Sequence, residues 1–164
     1  MRISKTAVFI CLILIGVVSG LALAQSDERT DYIYEGLYRF GKTEAEFVTA
    51  LGEPLEIVET ERINTHNPSK TDTVREYIYD GVSLSVYEVY DGKKLMMKAA
   101  YTTDAHEFDG LTVGDSAFTI TRRMGQPDVI DSGMYIYFGE IYEEVRFLLE
   151  NGAVVEIDFI SWPD

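Results

Sequence analysis

The chain has 164 residues, 14 of them basic and 28 acidic, a formal charge of −14 at neutral pH, and one cysteine, Cys11. So acidic a surface repels phosphate, which excludes nucleic acid and direct contact with anionic lipid from the expected partners. A single thiol closes no disulfide within the chain, and a domain of this length buries enough core to stand without one.

Residues 1–24 carry the three parts of a secretory signal: Arg2 and Lys5, the apolar run from Ala7 to Val18, and the small-x-small site Ala22-Leu23-Ala24 before Gln25. The apolar run is shorter than the roughly 20 residues that a membrane span needs. The sequence therefore predicts an exported protein, periplasmic or secreted, cleaved near Ala24. Cleavage removes Cys11, and with it any thiolate metal ligand.

Residues 25–35 begin with Gln25-Ser26-Asp27-Glu28-Arg29 and read as a loose polar lead-in. Gly36-Leu37 then opens a first unit, expected over 36–102. Thr43 and Glu46 have capping-box spacing, predicting a short helix that ends near Leu51, at Gly52-Glu53-Pro54. A strand is expected after the proline, then a polar loop over 61–73, then a strand at Tyr77–Tyr79. Val82 to Tyr90 and Leu95 to Tyr101 read as two strands joined at Asp91-Gly92.

After a linker at 103–109 the pattern returns in a second unit, expected over 110–164. Gly114-Asp115-Ser116 leads into a helix ending near Met124, at Gly125-Gln126-Pro127. A strand after Pro127, a strand at Tyr135 to Tyr137, and a hairpin of Ile141 to Leu149 and Ala153 to Ile160 about Asn151-Gly152 follow in the same order. The fold class predicted is α+β, a tandem repeat of two helix-plus-antiparallel-sheet units with one open sheet face.

Alternation along the strands places Val82, Leu84, Val86, Val145, Phe147, Leu149, Val155, Ile157 and Phe159 toward the helices. Ser83, Ser85, Tyr87, Lys94, Met96 and Lys98 then fall on the open face, with Tyr142, Glu144, Arg146, Glu156 and Asp158 from the second unit. With Ile78 and Ile136 turned to the helices, Tyr77, Tyr79, Tyr135 and Tyr137 join them. The predicted partner-binding set is Tyr77, Tyr79, Tyr87, Tyr135, Tyr137, Tyr142 and Arg146, because tyrosine offers wide contact with a polar tip. Strand propensity alone also accounts for tyrosines at these places.

No catalytic set, cofactor site or metal site is expected. His66 falls in the polar loop and His106 in the linker, both read as ordinary exposed histidines, and Asp104, Glu107 and Asp109 lack the spacing of a calcium loop. Ser83 and Ser85 lack the glycines of a nucleophile elbow.

The order Gly-Leu, capped helix, Leu-Gly-x-Pro, aromatic strand and hairpin resembles the β-lactamase inhibitory protein family and the outer-membrane-assembly lipoproteins of the SmpA/OmlA type. The likeness spans about residues 36–160. It implies the tandem fold and binding through an aromatic sheet. The disulfides of the inhibitor and the lipid-attachment cysteine of the lipoproteins have no counterpart here, and the PepSY type is a competing tandem fold. The function expected is an exported, non-catalytic protein-binding module, an inhibitor or envelope partner, with an unanchored envelope assembly factor as the alternative.

Overall fold

The computed structural model describes residues 28–140 and 142–162. The signal sequence, its cleavage site near Ala24 and Cys11 lie outside the described residues. Three helices are described: α1 (residues 28–37), α2 (Glu44–Leu51) and α3 (Ala117–Met124). The strands are β1 (Glu56–Ile63), β2 (Thr71–Tyr79), β3 (Val82–Glu88), β4 (Lys94–Tyr101), β5 (Val129–Asp131), β6 (Met134–Phe138), β7 (Glu143–Glu150) and β8 (Ala153–Ser161). No described helix is long and apolar enough to cross a membrane.

The stretch read as a loose lead-in is helical from residue 28. Tyr32, Ile33, Gly36 and Leu37 recur at helical spacing, and that stripe buries Ile33 and Leu37 completely against the sheet. Gly36 permits the close approach, since a Cβ there would overlap the Phe159 ring. Its carbonyl accepts a hydrogen bond from the Tyr101 hydroxyl at 2.7 Å, so helix and sheet are tied at the point of contact.

α2 and α3 form where the caps place them. The Thr43 hydroxyl accepts from the Glu46 amide, and the Glu46 carboxylate accepts from the Thr43 amide. Hydrogen bonds from the Lys42 amide, then from Thr43, hold the Glu46 carboxyl below the usual range. Ser116 caps α3 through the Thr119 amide at 3.2 Å. Gly52 ends α2 at φ 83°, ψ −165°, and Gly125 ends α3 at φ 82°, ψ −162°. That is not the left-handed helical region but the extended positive-φ region, which only glycine occupies at low cost.

The two units expected in tandem do not exist as such. All eight strands form one antiparallel sheet, in the order β1-β2-β3-β4-β8-β7-β6-β5, with the helices on one face. β4 pairs with β8 from Lys98↔Ile160 to Tyr101↔Ile157. Left apart, two four-stranded sheets would each expose an edge of unpaired backbone, and joining them removes both. The join also merges the cores: Phe108 packs 4.6 Å from Tyr101 and 4.8 Å from Phe159, ring centre to ring centre. One apolar cluster runs from Phe47 and Tyr77 in the first half to Tyr137 and Phe147 in the second.

Other boundaries also shift. The polar loop expected over 61–73 shortens to residues 64–70, because β1 continues to Ile63 and β2 begins at Thr71. Register breaks at Ser85/Val86 and Leu148/Leu149 exchange faces locally, so Met96 and Val154 enter the core where Val155 had been expected.

Candidate functional site

The predicted tyrosine face is not formed. Tyr77 pairs with Leu84 and Tyr79 with Val82, which puts both on the helix side, 2% and 8% exposed. Tyr137 pairs with Val145 and is fully buried, and Tyr135 shares its face and is half-buried. Ile78 and Ile136 take the open side instead. Tyr77 and Tyr137 each reach a helix, whereas the buried Tyr79 hydroxyl has no hydrogen-bond partner. Tyr77 meets Phe47 of α2 edge-on at 5.5 Å, and the Tyr137 hydroxyl donates to the Gly125 carbonyl at the end of α3 at 3.1 Å. Burial, first, and the nearby Glu44 push the Tyr77 phenol up to about 12, and burial does the same for Tyr137.

Tyr87, Tyr142 and Arg146 remain of the predicted set. Tyr87 lies half-buried on the open face, its hydroxyl held by Asp72. Asp72 is itself buried and also accepts from Asn64 Nδ2 at 2.8 Å and the Tyr90 amide at 3.0 Å. Desolvation raises its pKa, but these hydrogen bonds outweigh it and keep the carboxyl below its ordinary value. That group pins the 64–70 loop and has a structural role. His66 is exposed as expected, but His106 is half-buried, its ring 5.4 Å from Phe40 and 5.5 Å from Tyr101. Burial, then Arg39, lowers its pKa.

Tyr142 and Arg146 belong to a group at the β6-β7-β8 end of the open face. Phe138 pairs with Glu144, Glu144 with Ile160, and Arg146 with Asp158. The chain runs on from β8, and the Trp162 amide donates to the Tyr142 carbonyl at 3.0 Å. Trp162 Nε1 also donates to Glu144 Oε1 at 3.2 Å, and Arg146 pairs with the same carboxylate. Phe138, Tyr142 and Trp162 are 46%, 50% and 48% exposed, a cluster of half-open aromatic surfaces around a buried Glu144. Sequence parity carried one residue past β8 would have found Trp162; Phe138 follows from the corrected face of Ile136.

Beside this cluster the floor is charged and incompletely satisfied. Lys98 Nζ reaches Asp158 Oδ2 at 2.9 Å and Glu156 Oε1 at 3.6 Å. Asp158 is 7% exposed, yet its Oδ1 has no partner, and neither has the buried Nε of Arg146 across the strand pair. Desolvation raises the Asp158 pKa to about 6 against the pull of Lys98, with Glu156 adding to the rise. Both unpaired atoms have almost no accessible surface, so what the patch presents to solvent is its aromatic rings, over a buried and incompletely satisfied polar floor.

A second concavity of about 350 Å³ lies between α1 and α3, lined by Glu28, Arg29, Tyr32, Glu35, Asp109 and Arg123 among others. Both arginines are engaged: Arg29 pairs with Asp128 at 2.9 Å, and Arg123 pairs with Asp109. Among the described residues no three His, Cys, Asp or Glu side chains gather closely enough to hold a metal ion.

No protein-family model and no curated protein matches the chain. A solved structure of a DUF4309 family protein (YjgB) from Bacillus subtilis subsp. subtilis str. 168 is similar at a TM-score of 0.45 and 13% identity, over 85% of this chain and 99% of that one. A likeness at that level carries no argument about what this protein does.

Proposed function

We propose that the chain is an exported, non-catalytic protein-binding module that grips a partner at the Phe138–Tyr142–Trp162 end of its open sheet face. The observation that carries this reading is the placement of three half-exposed aromatic rings around the buried Glu144 carboxylate. Interfaces concentrate their energy in such aromatic anchors. The basic, apolar and small-residue segments of residues 1–24 support export.

Capture of partners from the envelope and medium fractions tests this, with immobilised wild type set beside the Phe138→Ala, Tyr142→Ala, Trp162→Ala triple variant. Loss of about 2 kcal/mol or more at each anchor would reduce a specific complex to background. Equal capture by the triple variant would remove this face from consideration. Trp162 is the single tryptophan of the chain, so its emission reports directly whether a captured protein covers the site.

A further inference from the structure

Among the described residues the sheet has two free edges, and they differ. β5 offers three residues, Val129–Asp131, while β1 offers eight, all of them exposed. β1 pairs with β2 in unbroken register from Glu56↔Ile78 to Ile63↔Thr71. It contains no proline, no lysine and no bulge, so the one device it carries against indiscriminate pairing is charge, on Glu56, Glu59, Glu61 and Arg62. Along its helix-side row stand Ile57, Glu59, Glu61 and Ile63, two carboxylates between two apolar side chains that are 45% and 72% exposed.

The charges in this row select the occupant. A twofold pairing of β1 with a second copy sets residues of like parity opposite one another. Centred on Thr60, it matches Ile57 with Ile63 but opposes Glu59 and Glu61 twice; centred on Glu59 or Glu61, it opposes a carboxylate to its own copy. Like charges directly opposite are destabilising, which disfavours the one pairing that joins Ile57 to Ile63, while those centred on Glu59 or Glu61 set Ile57 or Ile63 opposite a carboxylate. Arg75 bonds Glu59 at 2.6 Å but is shared with Glu88, and Glu61 has no basic neighbour within ion-pair distance among the described residues. A strand with basic side chains facing Glu59 and Glu61, and apolar ones facing Ile57 and Ile63, meets every position with a complement.

We propose that β1 is a docking edge for an extended basic segment of a partner protein, of the pattern apolar-x-basic-x-basic-x-apolar, which joins the sheet as a further strand. Backbone hydrogen bonds hold such a strand, and alternate side chains select it. The aromatic end of the open face lies at the other side of the sheet, so this surface stands or falls independently of it.

The test uses the purified protein and a synthetic heptapeptide capped at both ends, with isoleucine at positions 1 and 7, lysine at 3 and 5, and threonine elsewhere. Amide shifts in a titration should concentrate on Glu56–Ile63. Replacing both lysines by glutamate should weaken binding about tenfold, and the Glu59→Lys, Glu61→Lys double variant should reverse that preference. Of two further peptides, N-methylated at odd or at even amides, one should lose about tenfold and the other keep its affinity, because only one set faces the edge. Equal binding of both methylated peptides and the parent, shifts centred away from β1, or an unreversed preference in the double variant would each overturn the proposal.

Discussion

On the helix-covered face, Tyr77, Tyr101 and Tyr137 are buried and each hydroxyl reaches the helix side: Glu44 of α2, the Gly36 carbonyl of α1, the Gly125 carbonyl after α3. On the open face, Tyr142 at the start of β7 leaves half its surface in solvent, and Tyr87 only fastens a loop through Asp72. The same residue type therefore does two jobs on one sheet. Inside, it bridges a strand to the end of a helix with a ring that fills space and a tip that donates to a carbonyl or carboxylate; outside, it offers surface.

Truncation separates the two faces most strongly. Tyr137→Ala should cost about 3–5 kcal/mol in denaturant unfolding, as large aromatic truncations in cores do, while Tyr137→Phe, which removes only the bond to Gly125, should cost about 1 kcal/mol. A Tyr137→Ala protein as stable as wild type would mean that the ring is not core.

The open face should show itself next, through pH. The folded protein raises the Asp158 pKa from 3.8 to about 6, so folding favours the protonated carboxyl. Its contribution is fully present below about pH 4 and is lost as pH rises through 6, an effect of about 3 kcal/mol. Asp158→Asn removes that dependence, and its stability relative to wild type should climb between pH 4 and 7. A difference that stays flat across that range would show that the buried carboxyl is not destabilised by ionisation.

Gly52→Val and Gly125→Val should each cost about 1–3 kcal/mol, and alanine nearly as much, because the extended positive-φ region rejects any Cβ. Thermal melts that separate alanine widely from valine would point to side-chain crowding rather than to backbone conformation. The smallest effect belongs to Tyr142→Ala, which should change stability by no more than about 0.5 kcal/mol while weakening the proposed complex.

Much of the fold was legible because its determinants are local. Thr43 with Glu46, Ser116 before Ala117, and the glycines at 52 and 125 fix two helices within a few residues, and Asn151-Gly152 fixes a hairpin with both residues at positive φ. The strands expected after Pro54 and Pro127 are present as β1 and β5. What could not be read depends on distant partners. The side taken by Tyr77 is decided by Leu84 across the strand pair and Phe47 above it, and strict alternation was equally satisfied by either side. The single sheet rests on β4 meeting β8, a pairing that no local pattern announces. α1 was missed for another reason: its charged first turn hid a stripe of Tyr32, Ile33, Gly36 and Leu37 that was in the sequence to be seen. Of the site, Arg146 and Tyr142 were named in advance, but Phe138 and Trp162 were not.

The central position of β8 sets an order of events during synthesis. β8 is the last strand to leave the ribosome, yet it belongs between β4 and β7 in the middle of the sheet. Until it emerges, β1 to β4 can form a meander whose inner edge, from Lys98 to Tyr101, has nothing to pair with. The nascent chain therefore carries a sticky, half-finished sheet while the residues between Tyr101 and Ala153 are made, and contacts of such long sequence separation close slowly. A chain cut short before β8 would keep the Lys98–Tyr101 edge open as well as β1, whereas among the described residues the complete sheet has its longest open edge along β1.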